Sequence, residues 1–330
     1  MIESGFVVIT GAGGFIGRSL VAHFTSRGRP FRAIIRKQDP AFAPRPHVYT
    51  IADLAIASDD ELDAVVTGAT AIVHLAGRAH VLREMTNDPA AGYASANIVA
   101  TQRISRAGVR AGVQRFVLAS SIKVNGEASA PGRPFLPHDP PAPRDDYARS
   151  KLNAESALAE IIAGTPMTPM PMAPIILRLP LVYGPGVKGN FAMLLDEVAR
   201  ERLLPIAAIR NQRSVLYVGN LVEAIDAVLD TVSPPSGVHF VTDGESVSTP
   251  GLVTAAGIAL GTPARLVAVP VWLLEFAGSL SRRTAKMRRL VDTLEADASS
   301  FTAATGWRPR HSLADGLATT VAWWRMRHSI

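Results

Sequence analysis

The sequence predicts an α/β fold: a doubly wound parallel sheet covered by helices on both faces, followed by a smaller C-terminal portion. Three observations carry that expectation. Short, continuous apolar runs alternate with helical stretches through the first half of the chain, as strands buried on both faces of a parallel sheet do. A glycine-rich turn joins the first run to the first helix. Beyond Tyr183 the alternation fades, and residues 244–310 read as irregular and helical.

The elements follow in order. "GFVVIT" leads through the glycines into a helix from Phe15 to about Ser26, then "FRAIIR" and "VYTI". Next come "AIVHLA", a long helix from about Pro89 to Gly112, and "RFVLAS". A proline-rich stretch, "SAPGRPFLPHDPPAPRDD", opens onto the helix "DDYARSKLNAE", whose aspartates supply an N-cap, and "PIILRL" follows. Right-handed crossovers would wind these strands into one sheet, with the proline-rich loops at its carboxyl edge, where ligands bind. "YGPGVKGNFAMLLDEVARERLLPI" then reads as a loop and a helix.

Composition excludes several classes. The 330 residues are 48% hydrophobic and 19% charged, as in a globular protein. With no cysteine there is no disulfide, thiolate metal site or cysteine nucleophile, and the eight histidines are dispersed, so no metal is expected. "MIESGFVVIT" lacks a basic n-region and a long apolar run, and "LVAVPVWLLEFAGSL" is broken by Pro270 and Glu275, so a cytoplasmic protein without a membrane span is expected. The net charge of +6 and pI near 10 come from scattered basic residues, without the basic, aromatic-interleaved helix of a nucleic-acid binder. The densest cluster, "SRRTAKMRRL" at 281–290, suits a solvated or membrane-brushing helix, or an arginine reaching an anionic ligand.

"VVITGAGGFIG" sets Gly11, Gly14 and Gly17 between a strand and a helix, with Phe15 and Ile16 opening the helix. Gly11 allows the turn, Gly14 lets a pyrophosphate approach the backbone, and Gly17 lets helix and strand pack closely. The pattern predicts a dinucleotide site. An acidic residue some 20 positions on would bind an NAD ribose. Here Arg36 and Lys37 stand at the end of the second strand, and cations suit the 2′-phosphate of NADP(H). Asp39, slightly later, keeps NAD(H) open, and Asp53, after the third strand, is a candidate adenine contact.

Tyr147 and Lys151 are four apart, and so neighbours on one helix face. Alone they would be an exposed polar pair. With "TGAGGFIG", "HLAG", Asn97, "SS" at 120–121, "RLPLVYGPG" and "GWRP", however, the chain resembles the extended short-chain dehydrogenase/reductase family over nearly its whole length.

The resemblance implies a Rossmann dinucleotide-binding domain over 1–183, completed by about 214–241. It also implies a nucleotide-sugar-binding subdomain from 184–213 and 242–330, and a homodimer through a four-helix bundle that includes the Tyr147 helix. Cofactor contacts would come from the glycine turn, Arg36, Lys37, Asp53, Leu54, Leu75, Ala76, Gly77, Asn97, Ser120, Tyr147 and Lys151. Catalysis would rest on Ser121, Tyr147 and Lys151. A phenol with a pKa of roughly 10 exchanges protons poorly at neutral pH, and Lys151 is expected to lower it so that Tyr147 can pass a proton to or from a carbonyl oxygen held by Ser121. Asn190 and Arg213 match positions that contact the nucleotide diphosphate, Arg289 is a third candidate, and Arg78 and His80 follow the fourth strand, where the sugar would lie.

Asn125 and Leu181 replace a tyrosine and an asparagine found in many sugar epimerases of this family. "HLAGRAH", "SSIKVNGE" and "RSVLYVGNLVEAI" are similar instead to bacterial 4-reductases of UDP-2-acetamido-2,6-dideoxy-hexos-4-uloses, the quinovosamine type, used in making surface polysaccharide. A UDP-sugar 4-epimerase with tightly held NAD is the alternative, and a non-catalytic NADP-binding sensor a third. A 4,6-dehydratase is disfavoured, because Ile122 and Lys123 follow Ser121 where an acidic pair would be needed.

Overall fold

The computed structural model describes residues 5–42, 47–78, 88–165, 171–280 and 284–328. Seven parallel strands form the main sheet: β1 (Phe6–Thr10), β2 (Phe31–Ile35), β3 (Val48–Thr50), β4 (Ala69–His74), β5 (Arg115–Ser121), β6 (Ala173–Leu179) and β9 (Gly237–Phe240). Their order is β3-β2-β1-β4-β5-β6-β9. The strand order reverses between β1 and β4, and in such sheets ligands bind at that crevice. This is a Rossmann-type sheet. A smaller sheet, ordered β10-β8-β7, joins β7 (Leu181–Tyr183), β8 (Arg213–Tyr217) and β10 (Ser246–Val247).

Strand alternation splits the core into two layers. On one face Val7, Ile9, Val73 and Val117 pack on α1 (Phe15–Ser26) and α7 (Val218–Asp230), through Leu20, Phe24, Leu221 and Ile225. On the other, Val8, Ile34, Ile72 and Phe116 pack on α2 (Asp59–Val66), α4 (Ala100–Arg110) and α5 (Asp146–Ala163), through Leu62, Ile104 and Leu158. A third core gathers Tyr183, Phe191, Tyr217, Leu252, Leu317 and Trp324. It lies among α6 (Asn190–Ala199), α8 (Thr249–Leu260) and α12 (Leu313–His328), with Leu274 of α9 (Val271–Leu280). α10 (Thr284–Val291) packs on α9, and α11 (Ser299–Thr305) lies beside β9. Of the stretch 214–241, then, α7 and β9 belong with the main sheet, whereas β8 pairs in the small one.

The long helix expected from Pro89 is interrupted. α3 (Pro89–Tyr93) runs into a π-helical turn, Ala94–Val99, before α4 resumes. Such π turns are rare and concentrate at functional sites. Asn97 sits inside this one.

Below the carboxyl edge lies a buried ion pair. Arg178 of β6 donates to Glu155 of α5 through Nε at 3.1 Å and Nη2 at 2.7 Å, and both side chains are almost fully buried. Ser120 donates to the same carboxylate. Arg178 Nη1 donates to Asn125 Oδ1 at 2.8 Å, so Asn125 faces inward. Removing one partner of a buried pair strands the other charge. Glu155→Ala is therefore expected to lower unfolding free energy by about 3–5 kcal/mol, measured by urea denaturation; a loss within experimental error would show that the pair does not hold these elements together.

Candidate active site

The glycine turn fits a dinucleotide pyrophosphate. Gly11 has φ +67°, and a Cβ there would lie 2.6 Å from the amide nitrogen of Ala76. A Cβ on Gly17 would lie 2.2 Å from Gly11 O, which is why helix and strand approach so closely only with glycine. Gly14 caps α1 without a side chain, and the first turn of α1 carries no acid. Its amides and the positive end of the helix dipole are thus left for an anion. Phe15 and Ile16 point into apolar cores, where they fasten the turn to both lobes.

At the end of β2, Arg36 and Lys37 are exposed. Asp39 is engaged: it pairs with Arg18, and Ala41 N donates to it at 3.0 Å. That amide and then Arg18 hold its carboxyl below the usual range. Arg18 also donates to Gly13 O at 3.0 Å, tying the glycine turn to the loop after β2. Asp53 is exposed and accepts from Ala55 N at 2.9 Å. Leu54 is buried in the core beside Ile34 and Ile51.

The loop after β4 is fixed from both sides. Leu75 N donates to Thr10 O and Ala76 N to Thr10 Oγ1, each at 3.2 Å. Arg78 N donates to Asn97 Oδ1 at 2.7 Å, and Asn97 Nδ2 donates to Arg78 O at 3.2 Å and to Ser150 Oγ at 2.8 Å. Asn97 is therefore a buried brace between this loop and α5. A Cβ on Gly77 would meet Asn97 Oδ1 at 2.8 Å and Lys151 Nζ at 3.3 Å, so the loop comes right up to that lysine. Arg78 lies over the Tyr93 ring at 5.2 Å, and Tyr93 stands 6.0 Å from the Tyr147 ring. His80 lies outside the described residues.

Asp145 caps α5 by accepting from Ala148 N at 2.8 Å, and Tyr147 follows in the first turn. Ser121, at the end of β5, lies close enough to the Tyr147 phenol to lower its pKa. Lys151 is buried and donates to Ala119 O at 2.9 Å. The electrostatics differ from the sequence expectation. Burial pushes the Tyr147 phenol up to about 12; the nearby Ser121 hydroxyl works against this, while the Asp145 carboxylate adds to it. Lys151 is not among the groups that move it. Burial brings Lys151 itself down to about 8, with Glu155 opposing. His74, hydrogen-bonded to Thr10 at 2.7 Å, is pushed down to about 3 by burial and then by Lys151, so it stays neutral.

On the small-lobe side, Arg213 Nη1 donates to the carbonyls of Arg289 and Asp292, each at 3.0 Å. The Arg289 guanidinium lies 3.6 Å from Asp145 and 3.7 Å from Glu127. Lys123 bonds the same two carboxylates, so four charges of mixed sign cluster at the start of α5. The two arginines that are candidates for diphosphate contacts thus meet at the end of α10 and are both engaged with protein groups. Asn190 stands exposed at the first position of α6. The proline-rich loop is pinned to the C-terminal part by Ser129 N to Thr293 O at 2.9 Å and Phe135 N to Glu295 O at 2.8 Å. Arg18, Tyr93 and Ser150 join the site although no sequence pattern marks them. Among the described residues, no group of three or more histidines and carboxylates could hold a metal, and no helix is long and apolar enough to cross a membrane.

Known proteins resemble this chain in sequence and fold. Residues 7–241 match the NAD dependent epimerase/dehydratase family. A Vibrio cholerae protein named UDP-glucose 4-epimerase is 34% identical over 321 residues, spanning 96% of this chain and 94% of that protein. An Escherichia coli O157:H7 protein, N-acetyl-alpha-D-glucosaminyl-diphospho-ditrans,octacis-undecaprenol 4-epimerase, is 28% identical over 72% of this chain and 67% of its own length. The solved structure of MoeE5 in complex with UDP-glucuronic acid and NAD superposes with a TM-score of 0.76 at 27% identity, over 99% of this chain and all of that one. The chain belongs to the NAD dependent epimerase/dehydratase family.

Proposed function

We propose that this chain transfers hydride between a nicotinamide dinucleotide and C4 of a UDP-linked sugar, and that its net reaction is NADPH-dependent reduction of a UDP-2-acetamido-2,6-dideoxy-hexos-4-ulose. The observation that carries the reading is the buried Tyr147 phenol, one helical turn from the buried Lys151 and lowered in pKa by Ser121 at the carboxyl end of β5. The nicotinamide, when bound, supplies the hydride. The α1 amides would hold the pyrophosphate and Arg36 with Lys37 the 2′-phosphate. Ser121 orients O4 of the sugar, and Tyr147 delivers a proton to that oxygen as it gains charge. A phenol pushed up to about 12 is protonated at neutral pH, which suits a proton donor. Lys151, titrating near 8, keeps a positive charge beside the site at the same pH.

Two further features favour net reduction over epimerisation. Asp39, the acid that kept NAD open in the sequence, is occupied by Arg18 and Ala41, and Asn125, standing where many epimerases have a tyrosine, accepts from Arg178. The 34% identical Vibrio cholerae protein supports the second reading, a UDP-sugar 4-epimerase that keeps NAD bound through each turnover. α4 and α5, packed together on one face of the sheet, would supply the helices of a homodimer.

The cofactor separates these readings. NADPH is expected to bind at least 10-fold more tightly than NADH by fluorescence titration, with the ratio falling toward one in an Arg36→Asp, Lys37→Ser variant; 1.4 kcal/mol corresponds to that factor. Stoichiometric NAD surviving purification and dialysis would instead establish the epimerase.

With a UDP-4-keto-6-deoxy sugar and NADPH, Tyr147→Phe is expected to lower kcat/KM by about 10²–10⁴ without weakening cofactor binding. The wild-type rate is expected to be level below pH 8 and to fall as pH rises through the Lys151 pKa of about 8, because the ammonium is lost there. A stopped-flow pH profile with no fall between pH 7 and 10 would contradict the assigned role of Lys151.

A further inference from the structure

α9 turns one face inward and leaves another bare. Leu274 is buried in the third core, and Val271 packs against it. Trp272 and Phe276, one helical turn apart, are 68% and 62% exposed, and Leu273 between them is 41% exposed. Phe276 lines a shallow groove with Ser279, Met287 and Arg288, so the bare face of α9 continues onto α10. There Arg288 and Leu290 are also exposed. Large aromatic side chains clustered on one surface mark an interaction site rather than ordinary scatter.

Charge selects the partner. Ser281–Leu290 contains five basic residues and no acidic one; of these, Arg288 is exposed beside the groove, whereas Arg289 turns to Asp145 and Glu127. Glu275, exposed on α9, is the acid of the groove. Tryptophan, phenylalanine and leucine beside arginine are the composition of a helix that lies in the headgroup boundary of a bilayer, with apolar groups in the acyl region and cations on lipid phosphates. At ten residues α9 is about 15 Å long, half of what crossing would take. It can lie on a membrane and cannot span one.

We propose that the face of α9 and α10 formed by Trp272, Leu273, Phe276, Arg288 and Leu290 docks this protein reversibly on an anionic lipid surface. The end of α10 that carries Arg289 also receives the Arg213 guanidinium, so docking would set the small-lobe side of the active site against the membrane.

Co-sedimentation of the full chain with vesicles tests this. It should pellet with phosphatidylcholine vesicles containing about 30% phosphatidylglycerol, and far less with phosphatidylcholine alone, binding falling as salt screens the lipid charge. Trp272→Glu/Phe276→Glu should reduce binding at least 10-fold while retaining the wild-type melting temperature. Should that variant unfold, Arg288→Glu, at an exposed position, should still reduce binding to anionic vesicles several-fold. No vesicle binding by the wild type, or equal binding to neutral and anionic vesicles, would overturn the proposal. So would a wild-type dimer that the double variant converts to monomers in sedimentation velocity without any vesicle binding, because the face would then belong to a second copy of the chain.

Discussion

Glu155 and Arg178 are buried charges in a protein interior, where neither is tolerated without the other. Their pairing joins α5 to β6, and the Ser120 hydroxyl and Asn125 amide extend it to β5 and the loop beyond. These are the elements that carry Ser121, Tyr147 and Lys151. A hydroxyl and a phenol contributed by a strand and a helix more than 20 residues apart stay close together because the backbone beneath them is fastened by charge-assisted bonds. The reacting groups themselves do little of this holding. That division leaves them free for chemistry.

The second brace is Asn97. The π turn places its amide where it can bond the Arg78 backbone and Ser150 together, closing the space between the loop after β4 and the catalytic helix. Gly77 then brings backbone up to Lys151, and burial lowers the lysine toward 8. Burial acts on the neighbouring phenol in the opposite direction, because desolvation disfavours whichever form is charged. Both effects favour a neutral phenol beside a lysine that titrates near physiological pH.

Much of this was legible in the sequence because local rules govern it. Glycine at positions 11, 14 and 17, apolar runs of strand length and the Tyr147–Lys151 spacing each follow from backbone geometry within a few residues. The rest depends on which way a side chain turns. Asn125 was legible as a departure from an expected tyrosine, but its attachment to Arg178 joins positions 53 residues apart. Arg213 and Arg289 could be read as cations near a diphosphate, yet their bonds to the end of α10 and to the Asp145 cluster join positions far apart in the chain. Leu54, named by the resemblance as a cofactor contact, has its side chain in the core beside Ile34 and Ile51, a placement its loop position does not reveal. The interruption of the long helix at Asn97 leaves no periodic trace, because a π turn adds one residue to an otherwise helical pattern.

The proposed reaction moves a hydride directly from nicotinamide to sugar C4, with net reduction. NADPH deuterated at nicotinamide C4, on each face in turn, can be supplied with a UDP-4-keto-6-deoxy sugar and the product examined by mass spectrometry and NMR. The account predicts that one of the two labelled cofactors delivers deuterium to C4 of the product sugar, with one NADP formed per sugar reduced. A product free of deuterium with both, or sugar interconverted without net oxidation of the cofactor, would contradict it.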